Sequence, residues 1–250
     1  MKGRPGYDVY TDMSESRGPL AGEFAAQVLS TTAPWLNQPA SNLDVLDLGS
    51  GYGGTSIALS RTCRSVLGVE PAQFLHEKAV NALLEEPHGN VAFRNAGVED
   101  LEDEDAFDLV VLDNVYEHLP NQRQALTAVH RALRPGGVLF LLTPNKLWPI
   151  EAHYRLPGLA WLPLSLADRY LRLSGRGSCY QDASYAPTYW SLKTALRAHD
   201  WEFEFVLPGD RAATLAGSPL HYRIGMAAIE RFPSLWSISK ALLVVARKPA

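Results

Sequence analysis

A short glycine-rich segment that begins with a carboxylate is the feature of this chain best suited to hold a charged ligand. Asp47, Gly49, Ser50 and Gly51 follow a short apolar run and lead into a helix predicted to begin near Thr55. The glycines allow a tight turn and let the backbone approach a ligand closely, while the start of the helix points N–H groups toward it. Asp47 can accept hydrogen bonds from an ammonium group.

A second carboxylate, Glu70, ends the next predicted strand and could accept hydrogen bonds from both hydroxyls of a ribose. The glycines at 49, 51 and 54 also match the dinucleotide spacing G-x-G-x-x-G, so the glycine spacing alone does not choose the cofactor. Asp47 narrows the choice, because a nicotinamide cofactor carries no ammonium group for its carboxylate to bind.

Two of the seven histidines lie where they could act on an acceptor molecule bound beside the cofactor loop. His118 follows the fourth predicted strand and His153 follows the fifth, and ligands of parallel sheets bind at the carboxyl ends of the strands. Either imidazole could be the general base for a hydroxyl acceptor, and either could instead have a structural role. No spacing of acids and histidines indicates a metal site, so none is predicted.

Aromatic side chains after the fifth strand could form an acceptor pocket. Trp148 and Tyr154 are the candidates for substrate binding there, although these aromatics could equally form a small core of their own. Tyr7 and Tyr10 could close over the cofactor as part of an N-terminal lid.

The elements that would position these residues alternate between strands and helices. The predicted strands of the first half are Leu43–Leu48, Ser65–Val69, Val91–Asn95, Phe107–Leu112 and Val138–Leu142. The segments between them have helical spacing, most clearly at 72–84 and 121–133, and predict right-handed crossovers in a parallel sheet. Residues 202–207 and 241–247 can add a sixth and a seventh strand.

The chain of 250 residues is therefore expected to be one α/β domain. We divide it into an N-terminal lid segment (1–40), a cofactor-binding core (41–144), a substrate cap inserted after the fifth strand (145–190) and a C-terminal part that completes the sheet (191–250). The cap contains one predicted helix, at 162–173.

Composition limits the possible partners. The formal net charge is −4 and the sequence pI is near 6.0, which argues against a nucleic-acid partner. Cys63 and Cys179 have neither disulfide-framework nor zinc-site spacing, and no apolar stretch has the length of a signal peptide or a membrane span. We expect a cytoplasmic monomer or homodimer.

In this order and spacing, the segments resemble class I S-adenosylmethionine-dependent methyltransferases of the ubiquinone-type small-molecule group. VLDLGSGYGGTSIAL resembles their first motif, GVEP their second-strand acid, FDLVVLDNVYEHLPN their fourth-strand segment and LRPGGVLFLLTPN their fifth. The match runs from Leu43 to Asn145. The chain departs from the family at residues 96–99, where relatives often have an aspartate.

The resemblance implies a Rossmann-like methyltransferase fold, with a seven-stranded, mostly parallel sheet, helices on both faces and S-adenosyl-L-methionine as the cofactor, released as S-adenosyl-L-homocysteine. The implied cofactor residues are Asp47, Gly49, Ser50 and Gly51 for the methionine part, Glu70 and Pro71 for the ribose, Val98 and Glu99 for the adenine, and Asp113 and Asn114 for the methionyl and sulfonium side.

The expected activity is transfer of a methyl group to a small-molecule acceptor, with a hydroxyl of a sugar or secondary metabolite favoured. The stretch TPNKLWPIEAHYRLPGLAWLP resembles methyltransferases that act on such acceptors. N- and C-methylation remain open, as do a non-catalytic cofactor-binding protein and a nicotinamide oxidoreductase. A further alternative makes the apolar stretch Leu156–Leu173, which includes Arg169 and Arg172, an interfacial helix that reaches lipid-linked acceptors.

Overall fold

The computed structural model describes residues 20–85, 88–216 and 218–250, and these residues contain one seven-stranded sheet. The strands are β1 (Asp44–Leu48), β2 (Ser65–Val69), β3 (Val91–Arg94), β4 (Phe107–Asp113), β5 (Leu133–Pro144), β6 (Glu202–Phe205) and β7 (Ala241–Arg247). Their order across the sheet is β3-β2-β1-β4-β5-β7-β6. Strands β1 to β5 pair in parallel, and β7 runs antiparallel to both of its neighbours.

This strand order confirms the predicted mostly parallel α/β sheet. β1 pairs with β2 on one side and with β4 on the other, so the direction of winding reverses between β1 and β4. Ligands of open α/β sheets bind at such a reversal, beyond the carboxyl ends of the strands. The loops after β1 and β4 therefore define where a ligand site is expected.

The helices cover the sheet on both faces, because the central strands are buried along nearly their whole length. Leu109 to Leu112 in β4 and Val244 to Ala246 in β7 are fully buried, as expected for strands with no exposed face. The α-helices are α1 (Ala21–Thr32), α2 (Gly54–Ser60), α3 (Gln73–Glu85), α4 (Gln122–Ala132), α5 (Leu164–Ser174), α6 (Tyr189–Arg197), α7 (Arg211–Leu215) and α8 (Leu220–Arg231).

Helix α1 changes the interpretation of the predicted N-terminal lid segment. Ala25 and Val28 of α1 are buried in the main core, and the Phe24 ring lies edge-on to Phe140 of β5 with their centroids 6.0 Å apart. Helix α1 is therefore packed on the core, which differs from a lid over this part of 1–40; the lid remains a prediction for the other residues of that segment. Alanine-rich sequence with apolar residues at helical spacing could have indicated this helix.

Strand β5 begins five residues earlier than predicted. The sequence Arg134-Pro135-Gly136-Gly137 is typical of a turn after a helix, yet the strand already begins at Leu133. The pairing with β4 shifts register between Phe107 and Leu109, and Gly136 there has a φ of +77°. The proline and glycines thus form an irregular start to the strand rather than a separate turn.

Charged side chains join the amino ends of the central strands. Arg134 Nη2 donates to Asp44 Oδ2 at 2.9 Å and its Nη1 donates to Asp108 Oδ2 at 2.7 Å. Arg64 also pairs with Asp44, and this pairing holds the pKa of the Asp44 carboxyl well below its usual range. The network holds β1, β4 and β5 together at the edge away from the predicted ligand site.

The inserted cap has a small core of its own. Tyr154, Leu156, Leu159, Leu171 and Tyr180 are among its buried residues, and this cluster is separate from the main core. Its helix α5 runs from Leu164 to Ser174, two residues later at its start and one at its end than predicted. No helix in the described part of the chain is long and apolar enough to span a membrane.

Candidate active site

The loop between β1 and α2 has the backbone shape that its glycines predict. Gly49 and Gly51 have φ values of +73° and +54°, in the left-handed region that favours glycine. A Cβ on Gly49 would lie 2.3 Å from Cγ2 of Val115, in the loop after β4. The two loops at the winding reversal therefore touch, and only a glycine fits where they meet.

Asp47 lies beneath this loop with 3% of its surface exposed. Its Oδ2 accepts a hydrogen bond of 2.6 Å from Ser56 Oγ in α2. Burial, together with the nearby charges of Asp113 and Glu70, raises the pKa of Asp47 to about 7 against the effect of the Ser56 hydrogen bond. A carboxylate that is costly to ionise in isolation is well suited to receive a cationic group.

Glu70, at the end of β2, fixes the neighbouring backbone. Its Oε2 accepts from Gly51 N at 3.0 Å and its Oε1 accepts from Ala72 N at 2.9 Å. Burial raises the pKa of Glu70 although both hydrogen bonds oppose this shift. A carboxylate has about four acceptor positions, so two remain after these bonds for ligand hydroxyls.

Ser50 supplies a further sign that the loop is shaped for a ligand. Within the described residues, its buried hydroxyl oxygen has no hydrogen-bond partner. A buried polar atom without a partner is rare in native proteins and requires an explanation. The unpartnered hydroxyl lies in the loop that the sequence assigns to the cofactor.

Asp113 and Asn114 end β4 beside this loop. Asn114 has a φ of +52°, its backbone N–H donates to Leu142 O at 2.8 Å, and its side-chain amide donates to Asp113 Oδ1. The left-handed backbone of Asn114 turns the chain from the end of β4 toward Val115, which packs on Gly49. Both residues are thus at the expected position, half-buried between the β1 and β4 loops.

The predicted adenine and ribose neighbours lie on a more open edge. Val98 and Glu99 belong to a short 3-10 helix after β3, where Val98 is half-buried and Glu99 is exposed. Pro71 is also exposed, and Asn95 Nδ2 donates to the carbonyl oxygens of Glu70 and Pro71 at 2.7 and 3.2 Å. These residues border the Glu70 carboxylate, and their contact with a cofactor stays a prediction.

The fold brings His118 and His153 together. Their ring centroids are 5.0 Å apart, although 34 residues separate them along the chain. Between them lies Glu117, which is fully buried and whose Oε1 is 3.8 Å from Nε2 of each ring. The other carboxylate oxygen of Glu117 accepts from Thr143 Oγ1 at 3.0 Å. We call Glu117, His118 and His153 the EHH cluster.

Each histidine of the EHH cluster is oriented through its Nδ1 atom. His118 Nδ1 lies 2.7 Å from the Asp182 carbonyl oxygen in the cap, and His153 Nδ1 lies 2.8 Å from Glu151 Oε1. Glu151 Oε2 also accepts from the backbone N–H groups of His153 and Tyr154 at 2.9 and 2.6 Å. Because a carbonyl or carboxylate oxygen only accepts, both Nδ1 atoms carry a proton, and in the neutral form of each ring the lone pair is on Nε2.

Burial shifts the titration of this cluster. It raises the pKa of Glu117 to about 7, against the effect of the charge of His153. It lowers the pKa of His118 to about 4, and the charge of His153 acts in the same direction. Burial thus disfavours the charged forms of Glu117 and His118.

The predicted absence of a metal site rested on sequence spacing alone. The fold brings together an acid and two histidines that this spacing did not reveal, with one ligand atom from each of the three side chains within 4.8 Å of the others. Glu117 was not among the predicted site residues. Its position directly before His118, just past β4, was the available signal.

The predicted acceptor residues have different surroundings. Trp148 is half-buried and lines a cleft that also contains Glu151 and His153. Tyr154 is instead buried in the cap core, where its hydroxyl donates to the Cys179 carbonyl at 3.2 Å, so the structure favours the structural alternative for it. Tyr7 and Tyr10 lie outside the described residues.

Comparison with known proteins identifies a family for this arrangement. The sequence pattern of a family described as a methyltransferase domain matches residues 19–202, which is more than half of the chain. The matched region contains the β1–α2 loop, Glu70 and the EHH cluster.

Curated relatives match a shorter part. The ubiquinone biosynthesis O-methyltransferase of Paramagnetospirillum magneticum is 34% identical over 137 residues, which cover 53% of this chain and 54% of the relative. The mitochondrial ubiquinone biosynthesis O-methyltransferase of Mus musculus is 31% identical over 141 residues, which cover 54% of this chain and 37% of the relative. The match thus spans between about a third and just over half of these relatives' length.

Solved structures extend the similarity to most of the fold. An S-adenosylmethionine-dependent methyltransferase from Mesorhizobium loti superposes with a TM-score of 0.57 at 19% identity, covering 87% of this chain and 95% of the other. At this identity the comparison shows that the two share the Rossmann-like methyltransferase fold.

Proposed function

Because the chain belongs to the methyltransferase-domain family, we propose that it transfers a methyl group from S-adenosyl-L-methionine to a hydroxyl of a small acceptor, with a phenolic hydroxyl as the first class to test. The observation that carries this proposal is the convergence of the β1–α2 loop and the EHH cluster at the carboxyl edge of the sheet. One part suits the cofactor and the other suits a hydroxyl.

The residues of the loop fit the cofactor. Asp47 offers a buried carboxylate for the ammonium group, Glu70 has acceptor positions left for ribose hydroxyls, and Ser50 has a buried hydroxyl in need of a partner. Asp113 and Asn114 border the same space. When bound, the cofactor supplies a methyl group on a sulfonium, which is activated for in-line displacement without a large catalytic constellation.

His118 and His153 are suited to a hydroxyl acceptor. Their Nε2 lone pairs face the space above Glu117 and can take the proton that the hydroxyl loses as the new O–CH3 bond forms. An unperturbed imidazole and a phenol differ by about 3.5 pKa units, a cost of about 5 kcal/mol, and an aliphatic hydroxyl is several units less acidic still. This difference favours a phenol over a sugar. The lowered pKa of His118 makes that ring the weaker base for either acceptor.

The curated relatives support the same acceptor class. Their names describe O-methylation in ubiquinone biosynthesis. The cleft beside Trp148 and His153 has a volume of only about 10 Å³, so it would have to open to receive the aromatic ring of such an acceptor. We propose Trp148 as an acceptor-binding residue on this basis.

The first experiment is calorimetric titration of the purified protein with S-adenosylmethionine and, separately, with NAD. We expect binding of S-adenosylmethionine alone. Preference for NAD, or binding of neither compound, would contradict the proposed cofactor and favour the oxidoreductase alternative or another ligand.

The second experiment incubates the protein with cofactor labelled in its methyl group and with either catechol or a panel of monosaccharides. We expect labelled methyl ether from catechol, detected by mass spectrometry, and none from the sugars. Transfer to sugars only would overturn the phenolic acceptor class. Cofactor binding without transfer to any member of the panel would favour a non-catalytic cofactor-binding protein.

A further inference from the structure

The three side chains of the EHH cluster direct their ligand atoms at one point. Glu117 Oε1 lies 3.8 Å from Nε2 of His118 and 3.8 Å from Nε2 of His153. Ligands bound to zinc at about 2.0–2.1 Å in a tetrahedron are about 3.3 Å apart, so these two pairs would each need to close by about 0.5 Å, and all three ligand atoms lie within 4.8 Å of one another. The spacing is close to that of a three-ligand metal site.

A shared proton does not account for this spacing. Hydrogen bonds between nitrogen and oxygen have lengths of about 2.7–3.2 Å, and 3.8 Å is clearly longer. Asp182 O and Glu151 Oε1 accept from the Nδ1 atoms, so each ring in its neutral form carries its lone pair on Nε2. A cation bound by these two nitrogens and by Glu117 Oε1 would give the buried carboxylate oxygen a partner of opposite charge.

Glu117 Oε1 is the atom that most needs such a cation. Its residue is fully buried, and among the described residues this oxygen has no hydrogen-bond partner. The second oxygen is held by Thr143 Oγ1 at 3.0 Å, which orients the carboxylate toward the histidines. Burying a carboxylate oxygen without a partner costs several kcal/mol, so a native structure is expected to supply one.

The surroundings of the histidines have the form found around bound metals. In metal sites, the second imidazole nitrogen commonly donates to a carboxylate or a backbone carbonyl, which fixes the tautomer and the ring orientation. His153 donates to the Glu151 carboxylate and His118 donates to the Asp182 carbonyl. His153 is nearly buried, with 4% of its side chain exposed, whereas His118 is 22% exposed and borders the opening.

We propose that Glu117, His118 and His153 bind a divalent transition-metal cation of the zinc type. Two imidazole nitrogens and one carboxylate oxygen suit zinc, cobalt or similar cations, whereas Mg²⁺ prefers oxygen ligands and retains its water. Three protein ligands leave a position for a further oxygen, as in catalytic zinc sites.

The site gives the proposed methyl transfer a second route to an activated acceptor, and this role rests on the proposed function. A divalent cation beside the acceptor would lower the pKa of its hydroxyl and stabilise the developing negative charge on oxygen. His118 and His153 would then be ligands, and the proton of the hydroxyl would leave to solvent instead of to a ring nitrogen.

The test uses the full chain without a polyhistidine tag, freed of metal by a chelator and then dialysed. Calorimetric titration with ZnCl2 and visible absorption of the protein with CoCl2 measure binding, and MgCl2 is the negative probe. We expect one Zn²⁺ or Co²⁺ per chain and no comparable binding of Mg²⁺. Absence of Zn²⁺ and Co²⁺ binding would overturn the proposal.

Variants locate the bound metal. Glu117→Gln and His153→Gln should each weaken Zn²⁺ binding at least 100-fold, and Glu151→Gln should weaken it roughly 10–100-fold through the orientation of His153. His221→Gln, which changes an exposed histidine outside the cluster, should leave the affinity unchanged. Equal affinities in all four variants would place the metal elsewhere and contradict the assignment.

S-adenosylhomocysteine binding and thermal unfolding keep folding failures apart from loss of the site. The cluster variants should retain the cofactor-product affinity of the parent protein, and a variant that loses it is replaced by His118→Gln. If the metal binds and no acceptor is methylated, the metal site stands and the proposed function fails. If chelated protein methylates catechol at the full rate and binds no metal, the function stands and the metal site fails.

Discussion

Asp47 shows how burial of a single carboxyl group can couple cofactor binding to pH. Its pKa is raised from 3.8 to about 7, chiefly by burial. In the absence of ligand, the folded protein therefore holds a proton that the unfolded chain releases at lower pH. The contribution of Asp47 to folding stability is fully present below about pH 4 and is lost as the pH rises through about 7.

We propose that the ammonium group of the cofactor binds the ionised form of Asp47, so protons would compete with it. We expect the affinity for S-adenosylmethionine to fall about tenfold for each pH unit below 7, as for competition by one proton. Calorimetric titrations between pH 5.5 and 7.5 measure this slope. An affinity that does not change over this range would contradict the role of Asp47.

Two variants test the assignment of that pH dependence. Asp47→Asn should bind S-adenosylmethionine weakly at every pH and lose the slope. Ser56→Ala keeps the carboxylate and removes only its 2.6 Å hydrogen bond, which lowers the pKa of Asp47. The matched Ser56→Ala variant should therefore keep the slope and shift it to higher pH.

At the scale of elements, contact between the β1–α2 loop and the loop after β4 determines the shape of the cofactor site. The backbone of Gly49 is in the left-handed region, and the side chain of Val115 fills the space beside it. The strand order makes this contact possible, because β1 and β4 are neighbours in the sheet although their paired end residues, Leu48 and Leu112, are 64 positions apart in the sequence. A change at Gly49 therefore affects both loops.

We expect Gly49→Ala to lower the free energy of unfolding by about 1–3 kcal/mol and to weaken S-adenosylmethionine binding. Its Cβ would lie 2.3 Å from Val115 Cγ2, and alanine disfavours a φ of +73°. The double variant Gly49→Ala/Val115→Ala should recover the stability lost to the clash with Val115, but not the stability lost because alanine disfavours the left-handed backbone. Denaturant unfolding and calorimetry measure both effects.

Gly225→Ala is the matched control for this substitution. Gly225 lies within α8, and an added Cβ there has no atom within 4 Å. We expect this variant to be more stable than the parent by about 0.5–1 kcal/mol, because alanine favours the helix. If Gly49→Ala behaved in the same way, the close contact between the two loops would not be the constraint that we infer.

At the scale of the whole molecule, the main core and the cap core are separate hydrophobic clusters. The cap nevertheless supplies the groups that orient both histidines, Asp182 O to His118 and Glu151 to His153. Local opening of the cap should therefore disturb the EHH cluster before it disturbs the cofactor loop. Units with their own small core commonly open separately from the rest of a protein.

Leu171→Ala tests this separation. Leu171 is fully buried in the cap core, so its truncation should cost about 2–5 kcal/mol, mostly by local opening of the cap. Hydrogen exchange followed by mass spectrometry should show faster exchange in the cap and little change in the sheet, with S-adenosylhomocysteine affinity retained. The comparison variant Leu112→Ala, in β4, should instead speed exchange throughout the sheet. Uniform exchange in both variants would contradict two cooperative units.

The sequence by itself determined the order of the strands along the chain and the residues of the cofactor loop. Buried parallel strands such as β2, predicted at the bounds observed, are short apolar runs with turn residues after them, and these signals are local. The loop from Asp47 to Gly51 was likewise predictable, because its glycines and its carboxylate act over a few residues.

Only the tertiary structure decided which distant residues meet. In the tertiary structure, α1 packs on the main core and Tyr154 is buried in the cap core. His153 of the cap lies next to Glu117 and His118, which follow β4. The parallel pairing of β4 with β5 brings the chain segments after both strands to the same edge of the sheet, and the local sequence does not predict this proximity. The physical reason is that hydrophobic burial and strand pairing are non-local, whereas turn and helix signals are local.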